Sequence, residues 1–252
     1  MTAVGRIAEI VRYPVKSMAG TAIESAVLGW HGLEGDRRFA FRRVQDRSGF
    51  PWLSASRLPE LLLYQPTGLD DRTGEPLPTH VRMPMGSSVE LGGAELEAEI
   101  VERLGSSLEL MKLRHGVFDE AAVSVISLAT IAGIGRELGL DLDRRRFRAN
   151  IVIESNRTDV FHEDEWVGGT LVIGDGDAPP AVNVTMRDLR CGMINIDPNT
   201  AELDARIFKT VGRVNGATAG VYATVVRTGT IRVGDRIDLV PGRRLSGSVS
   251  RS

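Results

Sequence analysis

Residues 123–138, Val-Ser-Val-Ile-Ser-Leu-Ala-Thr-Ile-Ala-Gly-Ile-Gly-Arg-Glu-Leu, set a strand directly against a helix. Val123–Ile126 reads as a buried strand, short and without charge. From Ser127 to Leu138 the apolar positions recur at helical spacing, and Gly139 supplies a stop. Downstream, the basic cluster Arg144–Arg148 runs straight into an apolar strand over Ile151–Ile153. Further strands are expected over Thr170–Ile173, Ala181–Thr185, Gly220–Arg227 and Thr230–Val240. Upstream of about residue 116 the texture differs. Short strands are expected over Val4–Tyr13, Ala22–Leu28, Arg38–Val44, Leu61–Gln65, Val81–Met83, Ser88–Leu91 and Glu95–Ile100. A turn at Gly29–Gly35, a hairpin turn at Asp46–Gly49 and the cluster Glu75–Pro78 punctuate them. The expectation is a mainly β fold with α (α+β): a small N-terminal β-barrel lobe, then a second β-rich lobe with one or two helices. The lobes divide as 1–115 and 116–241, and the Gly/Ser/Arg-rich residues 242–252 are expected to form a disordered tail.

Composition narrows the function. The 252 residues are 42% hydrophobic and 25% charged, the balance of a chain that buries a core. A net charge of −2 gives no global attraction to nucleic acid or to an anionic membrane. No apolar run approaches the roughly 20 residues of a spanning helix. The N-terminal residues lack the basic start, apolar stretch and cleavage site of a signal peptide, so a cytoplasmic location is expected. The one cysteine, Cys191, rules out an intramolecular disulfide, an all-cysteine zinc site and an internal iron–sulfur cluster. Redox chemistry would need a bound cofactor and an outside source of electrons. Of 31 basic residues only Lys16, Lys112 and Lys209 are lysines.

Four segments, taken in order, resemble the MOSC family, named for the C-terminal domain of molybdenum cofactor sulfurases. They are Tyr13-Pro-Val-Lys-Ser17, Gly35-Asp-Arg37, Arg146-Phe-Arg-Ala-Asn-Ile151 and Arg190-Cys-Gly-Met-Ile-Asn-Ile-Asp-Pro198, with Gly229–Asp235 as a family-typical strand–turn–strand piece. They span nearly the whole chain. The resemblance is to the two-lobe form with its own N-terminal β-barrel, an architecture shared by the mitochondrial amidoxime-reducing component and the bacterial hydroxylaminopurine-resistance protein. It implies a MOSC β-barrel domain with flanking helices over the second lobe.

The resemblance implies molybdenum cofactor (Mo-molybdopterin) as ligand. Its metal-binding cysteine falls on Cys191, a soft thiolate suited to molybdenum. Without the resemblance Cys191 reads equally well as a buried small hydrophobe. The adjacent Arg190 would favour the thiolate and counts among the cofactor contacts. Lys16, Ser17, Arg37, Arg148 and Asn150 match cofactor-contacting positions, and Ser127 and Thr130 do so in a looser region. Arg148 suits a phosphate clamp, with Arg37 or Arg38 as a second fork, and Asn150 suits a pterin edge. Arg144 and Arg145 read as solvated. Asp197, ahead of Pro198, reads as a turn cap first and as a proton relay near the metal second. His162–Glu165 reads as an exposed loop and strand start rather than a metal site. Three departures from the family pattern stand out. Ala149 replaces the usual proline, no second cysteine precedes Cys191, and Gly192 replaces a bulkier aliphatic residue, which would open space beside the metal.

The function implied is a molybdenum-dependent oxidoreductase reducing N-hydroxylated or N-oxide-type substrates (amidoximes, hydroxylamines). Its electrons would come from a separate ferredoxin, flavoprotein or cytochrome-type protein. The alternative is a carrier that delivers the cofactor or sulfur without turnover. A self-contained sulfurase would need a pyridoxal-phosphate domain and its Schiff-base lysine, for which none of the three lysines is suitably set. A scaffold that has lost the cofactor is a third reading. Retention of six matching residues argues against it.

Overall fold

The computed structural model describes residues 1–69 and 75–242. The tail from residue 243 onward, expected to be disordered, therefore lies outside the described residues. The N-terminal part contributes β1 (Thr2–Arg12), β2 (Thr21–Ile23), β3 (Ser25–Gly29), β4 (Gly32–Leu33), β5 (Phe39–Arg43), β6 (Gln65–Thr67), β7 (His80–Arg82), β8 (Ser88–Glu90), α1 (Ala94–Leu104) and β9 (Leu108–Lys112). The rest contributes β10 (Val123–Ser127), α2 (Leu128–Leu138), β11 (Ile151–Ser155), β12 (Thr170–Ile173), β13 (Ala181–Leu189), α3 (Ala205–Asn215), β14 (Thr218–Arg227), β15 (Gly229–Arg232) and β16 (Arg236–Val240).

Seven strands close a barrel in the order β1-β11-β10-β14-β13-β12-β16 and back to β1. Its interior is written in alternate residues, because successive side chains of a strand point to opposite faces. Val123 and Val125, Ile151 and Ile153, Val182 and Val184, and Val221 and Ala223 all enter one core. Each such burial is worth about 1.5–3 kcal/mol for Val or Ile. The pair β10–β11 is parallel, and parallel neighbours need a crossover, which α2 supplies. That helix forms where the sequence places it, with the Ser127 side chain accepting from the Thr130 N–H and Gly139 closing it at φ 65°. α2 and α3 cover the outer face of β10 and β11, where Ile126, Val152, Ile131, Ile134, Ile207 and Val211 share a second core. Strands covered on both faces read as unbroken apolar runs, as Val123–Ile126 does.

A third core belongs to the small lobe, where α1, the β5–β9 pair and the three-stranded sheet β6-β7-β8 enclose Met18, Phe41, Tyr64, Val81, Leu96 and Ile100. The division at residue 115 is a division of sequence, not of packing. β1 is a stave of the large barrel, and Ala26, Leu28 and Leu33 of β3 and β4 pack into its core while β3 pairs with β15. The small lobe is thus an excursion between β4 and β10.

Several expected elements differ. Glu95–Ile100 is helix, not strand. Its Glu-Leu-Glu-Ala-Glu-Ile alternation imitates period two, but Leu96 and Ile100 lie one helical turn apart and are both fully buried. Leu61–Gln65 opens as a 3-10 turn over Pro59–Leu63 and only then becomes β6, because Pro59 presets a helical entry. Ala22–Leu28 breaks at Glu24 into β2 and β3. The Asp46–Gly49 turn leads back to a single bridge, Arg42 to Trp52, while the ladder partner of β5 is β9. His162–Trp166 is a 3-10 turn with His162 and Glu163 buried, not an exposed loop. Among the described residues no helix is long and apolar enough to cross a membrane.

Candidate functional site

Between the lobes lies a cavity of about 340 Å³, within the range of small-molecule sites. Lys16, Ser17, Arg37, Arg148, Arg190 and Cys191 all line it. Residues 130 and more apart in sequence meet there because β1 belongs to the barrel whose later loops carry Arg148 and Cys191. Ser17, Arg37 and Arg148 adopt φ values of 65°, 49° and 51°. They are three of six non-glycine residues in that region among the described residues, each at about 1 kcal/mol or more, and such strain gathers at binding sites.

The cations of the site differ in how they are neutralised. Arg37 pairs with the buried Asp36 and donates to Asn150 Oδ1 (3.2 Å) and to the carbonyl of Arg148 (3.2 Å). Burial alone would lower its pKa, but Asp36 outweighs it and the pKa rises. Lys16 is nearly buried, stands over the Phe50 ring, and pairs at 2.8 Å with Asp119, whose side chain is 61% exposed. Burial lowers the Lys16 pKa, with Asp119 opposing. Arg190 is turned inward, donating to the carbonyls of Ala219 and Phe147 (both 2.7 Å) and lying 2.9 Å from Asp188. Gly220, at φ 80°, makes room for it, since a Cβ there would approach Val125 O at 2.6 Å and Arg190 at 3.2 Å. Burial pushes the Asp188 carboxyl up, with Arg190 opposing.

Arg148 has no carboxylate partner among the described residues. Among the described residues its guanidinium makes one hydrogen bond, from Nη1 to the carbonyl of Met18 (2.7 Å), and lies 4.3 Å from the centre of the Tyr13 ring. Burial pulls its pKa down to about 10. A guanidinium has five N–H donors, so most of those on Arg148 remain open to a ligand. Opposing charge is the ordinary remedy for a desolvated cation, and here the protein does not provide it directly.

Cys191 is exposed and opens the 3-10 turn Gly192–Asn195. That exposure sets aside the reading of a buried hydrophobe. A Cβ built at Gly192 would meet only Asn195 Nδ2, at 4.0 Å, so neither packing nor a left-handed backbone requires glycine there. Ala149 is buried in the core around α2.

The remaining expected residues lie elsewhere. Asn150 is buried behind the cavity, where its Oδ1 accepts from Arg37 and from the Ser124 N–H, and its Nδ2 donates to Val11 O. It holds Arg37 and does not line the cavity. Ser127 and Thr130 are fully buried and their hydroxyls donate to Glu163 (2.9 and 2.8 Å). They do not line the cavity. Asp197 takes the turn role, its Oδ1 accepting from the Asn199 and Thr200 N–H groups while its other oxygen holds Arg146. It does not line the cavity either, and Arg146 stands between. Arg38 is engaged with Glu75 and Leu113 O. Arg144 and Arg145 are half exposed, as expected, and each holds a carboxylate: Glu9 for Arg144, Asp143 for Arg145.

Sequence reading missed Phe50, Ser124, Asp188 and Tyr222, all on the cavity wall. Only Asp188 carried a sign, an acid two residues before Arg190 at the end of β13. Among the described residues no group of three or more His, Cys, Asp or Glu is arranged to hold a metal ion.

Similarity to known proteins follows the same outline. Residues 4–102 match the MOSC N-terminal beta barrel domain, and residues 112–238 match the MOSC domain. A curated protein named molybdenum cofactor sulfurase from Drosophila mojavensis is 24% identical over 258 aligned positions, covering 86% of this chain but 31% of its own length. The chain thus spans about a third of that relative. Among solved structures, the YUAD protein from Bacillus subtilis aligns over 95% of this chain and 97% of its own, at 14% identity and a TM-score of 0.53, and so shares the fold. YiiM from Geobacillus stearothermophilus aligns over 50% of this chain and 56% of its own, at 19% identity and a TM-score of 0.36. With both of its domains matched in order, the chain belongs to the MOSC family.

Proposed function

We propose that the interlobe cavity binds a molybdenum–pterin cofactor and that the loaded protein reduces N-hydroxylated substrates. Membership in the MOSC family supports the molybdenum-cofactor association. The carrying observation is that an exposed cysteine and a guanidinium without a carboxylate partner share one cavity. The donor set fits the group: Cys191 offers a soft ligand, Arg148 open N–H donors for a phosphate, and Lys16 and Ser17 a second cation and a hydroxyl. When bound, the metal supplies oxygen-atom abstraction, so that N–OH, two electrons and two protons become N–H and water.

The protein's own part is to hold and shape. Arg148 binds the terminal phosphate, and its left-handed backbone and Tyr13 fix its approach. Arg37, neutralised by Asp36, braces the Arg148 carbonyl and adds little net charge. Arg190 locks the end of β13 to β14 through Ala219 and to the Arg148 loop through Phe147, setting the position from which Cys191 projects. Gly192 leaves room for a substrate next to the thiol. Electrons come from a separate donor protein.

Exposure of Cys191 also favours a second reading, delivery of the cofactor or of sulfur carried on the thiol. Turnover separates the two. Cofactor-loaded protein with an artificial electron donor is expected to convert benzamidoxime to benzamidine, and Cys191→Ala to abolish this. Bound cofactor without turnover for any N-oxygenated substrate would establish the carrier reading instead.

A further inference from the structure

Tyr13 is the residue on which two of the cavity guanidiniums, those of Arg37 and Arg148, converge. Arg148 Cζ lies 4.3 Å and Arg37 Cζ 5.2 Å from the centre of its ring. The backbone of Tyr13 is pinned as well: its N–H donates to Asp36 Oδ1 (2.7 Å), and its carbonyl accepts from the Arg37 N–H (2.7 Å). Its side chain is nearly buried, so the ring stands in one place. Two like charges near one another repel, and the negative face of an aromatic ring is the neutral group best able to accept both. The two cations are not equivalent. Asp36 neutralises Arg37, while among the described residues the Arg148 guanidinium has only the ring and one carbonyl.

We propose that Tyr13 is the positioning residue of the anion site, holding the Arg148 guanidinium on its ring so that the remaining N–H groups face the cavity. The ligand chemistry is a phosphate monoester or free phosphate. The inference rests on the reading of Arg148 as the phosphate anchor, and adds that the anchor works only with an aromatic ring at position 13. The Tyr13 hydroxyl has no part in this, since the ring alone carries the interaction.

The test uses the full-length protein without cofactor, with inorganic phosphate as probe and calorimetry as readout. Tyr13→Phe is expected to bind phosphate as the wild type does. Tyr13→Leu is expected to weaken binding at least about tenfold, the scale of one desolvated cation–π contact. Arg148→Ala removes the anchor, and adding Tyr13→Leu to it is expected to change phosphate affinity no further, the signature of two residues acting as one. Thermal melting separates positioning from packing. A Tyr13→Leu protein that melts early yet binds phosphate normally would overturn the proposal, as would a Phe variant that loses binding. Should the Leu variant fail to fold, Gly20→Ala serves in its place, because a Cβ at Gly20 would run into the Tyr13 ring and displace it. Gly20→Ala is then expected to weaken phosphate binding, and wild-type affinity would overturn the proposal. If Arg148→Ala itself leaves binding unchanged, the anchor and the Tyr13 role fall together. If Arg148→Ala abolishes binding and Tyr13→Leu leaves it at the wild-type affinity, only the Tyr13 role falls.

Discussion

Replacing Arg148 by methionine is expected to stabilise the cofactor-free protein while destroying its anion site. Arg148 carries its charge against burial, which lowers its pKa to about 10. The drop from the ordinary guanidinium value corresponds to about 3 kcal/mol against the charged form. Contact with the Tyr13 ring offsets about 1–2 kcal/mol of this. Methionine keeps the apolar stem and removes the charge, so a gain of about 1–2 kcal/mol remains, or about 2–8 °C in melting temperature for a chain of this size. The pH dependence follows from the sign. A basic group whose folded pKa is lowered destabilises the fold fully below that pKa, and less as pH rises through it. The advantage of the variant should therefore be constant near neutrality and shrink above about pH 10. Phosphate reverses the order: at a hundred times its Kd it adds about 2.7 kcal/mol to the wild type and nothing to the variant. The assay is thermal melting of both proteins with and without phosphate. A variant less stable than the wild type without phosphate would refute the reasoning, because Arg148 would then be a structural cation.

Thr130→Val should cost about 1–2 kcal/mol in chemical denaturation, since it removes a donor to buried Glu163, and should leave phosphate affinity unchanged; weakened binding at full stability would restore Thr130 to the site. Gly192→Leu should leave stability within about 0.5 kcal/mol, because the space beyond its Cβ is open, while lowering kcat/KM for bulky substrates. Unaltered turnover of bulky and small substrates alike would show that the opening is not used. Asp119→Asn should change stability by less than about 1 kcal/mol, its carboxylate being mostly exposed, and should raise phosphate affinity by freeing Lys16. Burial raises the Asp119 pKa but Lys16 outweighs it, so the folded pKa is lowered. What the pair contributes is present above the ordinary carboxylate range and is lost as pH falls below it. Calorimetry at neutral pH checks the affinity, and weaker binding in the Asn variant would contradict it.

What was legible in the sequence was whatever is encoded locally. Ser127 and Gly139 bound α2 by capping chemistry that any helix obeys, and β12 has the limits that its apolar run suggests. Lys16, Arg148 and Cys191 were legible because their segments carry a family pattern, and the closed barrel brings them to one cavity. Other features depend on packing that no window of sequence displays. The Glu95–Ile100 alternation became a helix because Leu96 and Ile100 share one face against the small-lobe core. Ser127 and Thr130 look like ligand-binding hydroxyls until Glu163, more than thirty residues away, takes both. Arg37 and Arg148 read alike as phosphate clamps, yet buried Asp36 satisfies one and no carboxylate among the described residues satisfies the other. Phe50 and Tyr222 reach the cavity only because the chain closes on itself, so nothing near them in sequence marks them.

The most direct measurement is the molybdenum and pterin content of the protein purified without oxygen from cells that make the cofactor, beside Cys191→Ala and Arg148→Ala. The account predicts about one molybdenum per chain in the wild type, with molybdenum lost in the Cys191 variant and both metal and pterin lost in the Arg148 variant. Wild-type protein holding neither would contradict it.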